Sequence, residues 1–175
     1  MTDESPIDLV ATAGAYVLLD GRFPFMIGPT EDGARLAVVR LGGHREAGES
    51  TWQCAAREVL EEAGLTIQAV APPCTYWLAR EDRAPGQDGL VPGAWPPEPP
   101  AAHPPFLVVQ GTATLPDRLS IMYLARAEGT PVPLNEARGL LLLSPAEVFA
   151  LVSRPVTLAQ HLRAGGLAIP HYAPL

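Results

Sequence analysis

Residues 43–65 read GHREAGESTWQCAAREVLEEAGL. The stretch opens on glycine, breaks at Ala47-Gly48, and then runs as one amphipathic segment to Gly64. Ser50 followed three residues later by Gln53 is a capping box, so a helix is expected to start there. Gly64 is suited to the left-handed residue that ends it. Trp52, Ala55, Ala56, Val59, Leu60 and Ala63 recur at helical spacing and predict a core-facing stripe. Glu58, Glu61 and Glu62 are expected on the other side, with Cys54 also off the stripe. Glu58 lies three residues from Glu61 and four from Glu62, a spacing at which like charges repel by about 0.2–0.5 kcal/mol per pair. A run of charges is ordinarily a solvated face. Convergent carboxylates are also what a hard cation such as Mg²⁺ or Mn²⁺ takes, together with carbonyls, water and substrate phosphate.

The wider spacing separates these readings. Gly43 is followed after five residues by Glu49, and after seven more by Arg57-Glu58-Val59, Glu61-Glu62 and Gly64-Leu65. This resembles the complete Nudix box, GX5EX7REUXEEXGU with U a bulky aliphatic residue. Gly42, Glu46 and Gly48 also fit the common flanking form GGxxExGE, while Leu41 stands where many members have proline. The box covers 23 of the 175 residues, and over the rest the resemblance is one of element order.

The resemblance implies an α/β fold, a Nudix-type α/β/α sandwich with a mixed β-sheet between helices. It implies an enzyme that uses Mg²⁺ or Mn²⁺ to cleave a pyrophosphate bond in a nucleoside diphosphate linked to another moiety, water attacking phosphorus. Carried onto this chain, Glu58 and Glu62 are the first metal ligands, Glu61 ligates directly or through water, and the Gly42 carbonyl completes the set. Glu49 stands behind them, and Arg57 pairs with Glu49 or Glu61 to fix their orientation. The general base lies in the box helix or in a later loop, where Glu128 and Glu136 are the candidates and Glu136, just before the strand at 140, is preferred. A nucleoside triphosphate pyrophosphohydrolase is the alternative activity. A non-catalytic nucleotide-binding regulator is the alternative class, but such proteins commonly lose box glutamates and all are present here. An isomerase acting on a diphosphate would need cysteine and glutamate acid–base groups, for which neither Cys54 nor Cys74 is evidently placed.

Outside the box, 175 residues suit a single domain with a sizeable core. A net charge of −7 argues against a nucleic-acid polymer as the main partner and favours a small phosphoanhydride substrate bridged by a cation. No run approaches the roughly 20 apolar residues of a membrane span. The acidic start lacks the basic region of a signal peptide, so a cytoplasmic protein is expected. Cys54 and Cys74 lack zinc-site spacing and read as free thiols.

Strands are expected over 10–19, 23–27 (an edge, given Pro24), 35–41, 66–70, 75–79, 106–114, 120–127 and 140–143. Pro116-Asp117 reads as a turn. Ser144-Pro145-Ala146-Glu147 and Thr157 to Gln160 repeat the capping signature, predicting two further helices.

The stretch from about 80 to 105 carries eight prolines and little periodicity. A loop of that length is either functional or an excursion. It is read as a lid or a wall of the substrate pocket, with Trp95 and nearby Tyr76 or Trp77 stacking on a base, or as a rigid, partly extended excursion at a homodimer contact with Trp95 tucked against the body. His103 in the same stretch reads as solvated. The substrate itself is not named. The NADH-hydrolase signature SQPWPFPQxS and the coenzyme A signature are absent. Arg80 and Glu81-Asp82-Arg83 stand where ADP-ribose and dinucleoside polyphosphate hydrolases often have proline and tyrosine.

Overall fold

A computed structural model describes residues 5–30, 33–79, 90–99, 103–111, 117–154 and 156–170. In chain order the elements are β1 (Val10–Leu18), β2 (Phe23–Pro29), β3 (Leu36–Val39), β4 (Leu41–His44), α1 (Thr51–Ala63), β5 (Ile67–Val70), β6 (Thr75–Ala79), β7 (Leu90–Gly93), β8 (Leu107–Gln110), β9 (Leu119–Ala127), β10 (Gly139–Leu143), α2 (Pro145–Ser153), α3 (Leu158–Arg163) and β11 (Leu167–Pro170). The expected mixed α/β architecture is present, with its strands divided between two sheets. The larger runs β4-β1-β9-β8-β6-β7, with β5 also paired to β9. It is mixed: β1 with β9 and β6 with β8 are parallel, the other pairs antiparallel. The smaller sheet, β11-β10-β2-β3, is antiparallel throughout.

Strand β9 is the hub of the larger sheet. β1 runs along its full length, β8 pairs with its first half and β5 with its second. One face of this sheet presents Ala13, Ala15 and Val17 from β1, Ile121, Tyr123 and Ala125 from β9, and Val108 from β8. Helix α1 lays Ala55, Val59 and Ala63 against that core, and the small side chains on both partners let helix and sheet approach closely. Fully burying a residue such as Val59 stabilises the fold by about 1.5–3 kcal/mol. A second cluster, Ile27, Leu141 and Leu143, joins the smaller sheet to α2 and α3 through Val148, Leu151 and Leu158.

The helix ends follow the sequence closely. Ser50 accepts from the Gln53 amide and Gln53 returns the bond to the Ser50 amide, while Gly64 adopts φ 66° and donates to the Leu60 carbonyl. The capping boxes at Ser144 and Thr157 are also formed.

The face that α1 buries differs from expectation. Its buried residues are Thr51, Cys54, Ala55, Glu58, Val59, Glu62 and Ala63, whereas Leu60 is 50% exposed. The inward face is rotated away from Leu60 and takes in Cys54 and two glutamates. The reason lies in β4, where Gly42 and Gly43 offer no side chain and leave room for carboxylates.

Other differences have comparable causes. The strand expected over 35–41 breaks at Arg40, where the chain leaves the smaller sheet as β3 and enters the larger as β4. Pro24 is not on an edge strand, because β2 lies between β10 and β3. It is tolerated because β3 pairs only from Met26 onward, so the side facing β3 is unpaired at Pro24. The proline-rich excursion contains an edge strand, β7, with Pro92 in it. Strand β11, four residues long and directly after Gly165-Gly166, had no alternation to announce it and forms by pairing with β10. Residues 80–89 and 100–102 of the excursion, residues 112–114 of an expected strand, and Pro116 of the expected turn lie outside the described residues.

The rotation of α1 is testable by urea denaturation. Val59→Ala is expected to cost about 2 kcal/mol, while Leu60→Gln is expected to change stability by less than about 0.5 kcal/mol. Equal costs at the two positions would contradict the observed burial.

Candidate metal centre

The site is built where α1 crosses the end of β4. Strand β4 pairs antiparallel with β1, and Gly42 sits opposite Gly14. Glu58 lies directly over Gly43: a Cβ built on Gly43 would stand 2.5 Å from the Glu58 carboxyl. Glu62 reaches the next residue along, and its Oε2 accepts from the Gly42 amide at 2.8 Å. Glu58 and Glu62 are 9% and 2% exposed. The two glycines are therefore a cradle for the two carboxylates, and any side chain at Gly43 would displace one of them.

Arg57 binds the cluster from outside. Its Nε donates to Glu49 Oε1 at 2.7 Å and its Nη2 to Glu49 Oε2 at 3.1 Å. Its Nη1 donates to Glu58 at 2.8 Å and to Glu61 at 3.0 Å, and Nη2 also reaches the His44 carbonyl at 2.9 Å. The guanidinium thus meets both partners expected of it and Glu58 besides. These bonds, led by the one to Glu49, raise the Arg57 pKa further above its usual value. Glu49 also accepts from the Glu46 amide at 2.9 Å. Arg57 first, then that amide, hold its carboxyl below the usual range, so it stays ionised.

The buried carboxylates behave in the opposite way. Burial pushes Glu62 up to about 8, with Glu58 and Glu136 adding repulsion against the Gly42 amide and Arg40. Burial also raises Glu58, with Glu61 and Glu136 adding and Arg57 opposing. Glu136 is near enough to act on both because its loop docks on the end of α1. Val132 and Leu134 donate to the Ala63 and Glu62 carbonyls at 2.9 and 3.1 Å, and Asn135 turns at φ 50°. Glu136 itself is exposed.

This donor set suits a hard divalent cation: oxygen ligands on a fixed backbone, with more negative charge than the neighbouring arginines offset. As the side chains stand, no three carboxylate, imidazole or thiol groups among the described residues form a ready cage. Glu58 and Glu61 are turned to Arg57, and Glu62 to the Gly42 amide.

Three features of the site escaped the sequence reading. Arg40 is turned inward, donating through Nη2 to Thr12 Oγ1 at 3.1 Å and Ser120 Oγ at 3.0 Å, while its buried Nη1 has no hydrogen-bond partner among the described residues. A Cβ on Gly42 would lie 2.3 Å from that Nη1, so the guanidinium depends on the same glycine edge. Arginine at the end of the apolar run 36–41 was the available signal. Thr51 and Tyr123 are hydrogen-bonded in the core at 2.6 Å, and Glu98, the lone acid among the prolines of 96–100, accepts from Thr51.

The aromatic candidates do not form one group. Tyr76 and Trp77 are successive in β6 and point to opposite faces. Tyr76 stacks edge-on with Phe106 at 5.7 Å, and Trp77 lies 5.7 Å from Trp95. Trp77 and Trp95 are partly buried against the main core. His103 is exposed, as expected, and its ring meets Trp52 edge-on at 5.1 Å.

The family model of the NUDIX domain matches residues 11–160. Among solved structures, a NUDIX-family hydrolase from Clostridium perfringens aligns with a TM-score of 0.51 at 17% identity, covering 79% of this chain and 82% of that one. A C. elegans Ap4A hydrolase in a binary complex aligns with a TM-score of 0.49 at 15% identity, covering 81% and 86%. No curated protein sequence matches the chain. At these identities the structural likeness is one of fold. The family match is broader than the box, running from β1 into α3, and by it the chain belongs to the NUDIX family of pyrophosphohydrolases.

Proposed function

We propose that the protein hydrolyses a pyrophosphate bond in a nucleoside diphosphate linked to another moiety, such as a nucleotide sugar or an ADP-ribose-like molecule, with Mg²⁺ or Mn²⁺ as cofactor. The observation that carries this reading is the pair Glu58 and Glu62, held side by side over Gly42-Gly43 with Glu136 close enough to repel both. In this reading Glu58, Glu62 and Glu61 hold the cation, with the Gly42 carbonyl. A bound divalent cation would supply positive charge to phosphate oxygens and acidify water for attack on phosphorus. Arg57 keeps Glu58 and Glu61 oriented, and Glu49, its pKa lowered by that arginine, keeps Arg57 in place. Glu136, exposed and electrostatically coupled to both buried glutamates, is the candidate proton acceptor. Trp77 with Trp95 on one face of β6, or Tyr76 on the other, are candidate surfaces for a base.

The activity is tested with a panel of nucleoside diphosphate conjugates and nucleoside triphosphates in Mg²⁺ or Mn²⁺, scoring monophosphate and pyrophosphate release. Monophosphate from a conjugate is the expected result. Pyrophosphate from triphosphates alone would favour the triphosphate activity, and no turnover at all would sink the hydrolase reading for these substrates. Glu62→Gln is expected to lower kcat by more than about a hundredfold, beyond the usual cost of losing a partner behind a metal ligand, with the fold intact by circular dichroism. Glu136→Gln is expected to lower kcat by about a hundredfold or more with the fold intact by circular dichroism.

The pH dependence follows from Glu62. Its folded pKa of about 8 lies above the ordinary 4.5, so its contribution to stability is present below 4.5 and is lost as pH rises through 8. Metal-free protein is expected to lose stability over that window, and Glu62→Gln to flatten the loss. Proton and cation compete for the same carboxylate. The Tm gain from Mg²⁺ should therefore be larger at pH 8.5 than at pH 6, and a gain independent of pH would argue against Glu62 as a ligand.

A further inference from the structure

The start of α1 is held by a buried polar network that belongs partly to the proline-rich excursion. Both carboxylate oxygens of Glu98 accept from the Thr51 amide, at 3.1 and 3.0 Å, and Oε2 also accepts from the Thr51 hydroxyl. That hydroxyl pairs in turn with the Tyr123 hydroxyl. Ser50 already serves the Gln53 amide, so Glu98 satisfies a different helix-start amide, one that the capping box leaves open. The Glu98 side chain is 12% exposed, and its Oε1 lies 3.6 Å from Arg45 Nη2. A carboxylate so enclosed requires such partners.

The network continues past the helix start. Arg45 Nε donates to the Glu49 carbonyl at 2.8 Å, and its Nη1 to the Ile7 carbonyl at 2.7 Å. Glu49 is the residue whose carboxylate takes both nitrogens of the Arg57 fork, and Arg57 in turn holds Glu58 and Glu61. An unbroken series of polar contacts and backbone therefore runs from Glu98 through Arg45, Glu49 and Arg57 to two of the site carboxylates. A cap that served stability alone would need only the Thr51 contacts. The pairing of Glu98 with Arg45, which grips the backbone of Glu49, is the feature such a cap does not require.

We propose that Glu98 is a positioning residue for the carboxylate cluster, acting through Arg45 and Glu49 to set Arg57, and through it Glu58 and Glu61. One residue of the proline-rich excursion thereby joins the framework of the site. The proposal rests on the reading that these carboxylates take a divalent cation.

The test measures Mn²⁺ binding to the full chain by loss of the free-ion electron paramagnetic resonance signal, alongside metal-free Tm. Five proteins are compared: wild type, Glu98→Gln, Arg45→Met, the double variant and Tyr123→Phe. Glu98→Gln and Arg45→Met are each expected to weaken Mn²⁺ binding by about tenfold, the low end of what partners behind metal ligands contribute. The double variant is expected to be no weaker than the weaker single variant, because both cut one path. Tyr123→Phe loosens the Thr51 hydroxyl without touching Arg45, and is expected to lower Tm while leaving Mn²⁺ affinity unchanged. Wild-type affinity in Glu98→Gln, or multiplied losses in the double variant, would overturn the proposal and leave Glu98 as a helix cap. An equal loss of affinity in Tyr123→Phe would overturn it too, since general loosening of the helix start would then account for the effect. A wild-type protein that binds no Mn²⁺ would remove the cation reading itself, an outcome distinct from wild-type binding that the Glu98 change leaves untouched.

Discussion

The close approach of α1 to the glycine edge of β4 is the constraint on which the site depends. A helix that packs on a strand normally does so through apolar side chains from both partners. Here the strand contributes no side chain at Gly42 and Gly43, and the helix fills the space with Glu58 and Glu62. Burying carboxylates in this way is costly unless something offsets the charge. The Gly42 amide and Arg57 offset part of it, and burial still leaves the pKa of both glutamates raised. The same glycine edge constrains Arg40, whose Nη1 stands where a Gly42 side chain would be.

Arg57 organises the outer half of the cluster. Three carboxylates share one guanidinium, and its rigid fork is taken by Glu49 with both oxygens. A lysine could not reproduce that geometry. The arrangement separates the acids into two kinds. Glu49 is held ionised and fixed, while burial shifts Glu58 and Glu62 toward their neutral forms. Such a division, with environments pushing neighbouring acids apart, is a common mark of functional sites.

The described residues of the proline-rich excursion pack against the body. Trp95 packs on Trp77, His103 on Trp52, and Glu98 on the first turn of α1. Proline limits the freedom of such a segment before it folds, so little more ordering is needed to dock it. The sequence showed that it could not be a helix or a central strand. It could not show where the segment would land, because no periodicity links it to the residues it meets.

Much of the fold was legible because its signals are local. The capping boxes at Ser50, Ser144 and Thr157, the stop at Gly64, and most strands follow from residues within a few positions of one another. The misreadings were matters of tertiary pairing: the break at Arg40, the inner position of β2, and strand β11 depend on partners distant in the chain. In the site, the spacing from Gly43 to Leu65 was enough to name the acids and the arginine, since one helix presents Arg57, Glu58, Glu61 and Glu62 at offsets set by its pitch. It was not enough to say which of them are buried. An apolar stripe drawn through Leu60 was as consistent with the helix as one through Cys54, and only the bare glycine edge of β4 selects the second. The sequence by itself determined which acids and which arginine share the box helix and where that helix ends, because both rest on short-range geometry. The tertiary structure alone decided that Glu62 is buried against Gly42 and that Glu98, 47 residues along the chain from Thr51, holds the helix start, because burial and long-range hydrogen bonds exist only once distant segments have packed.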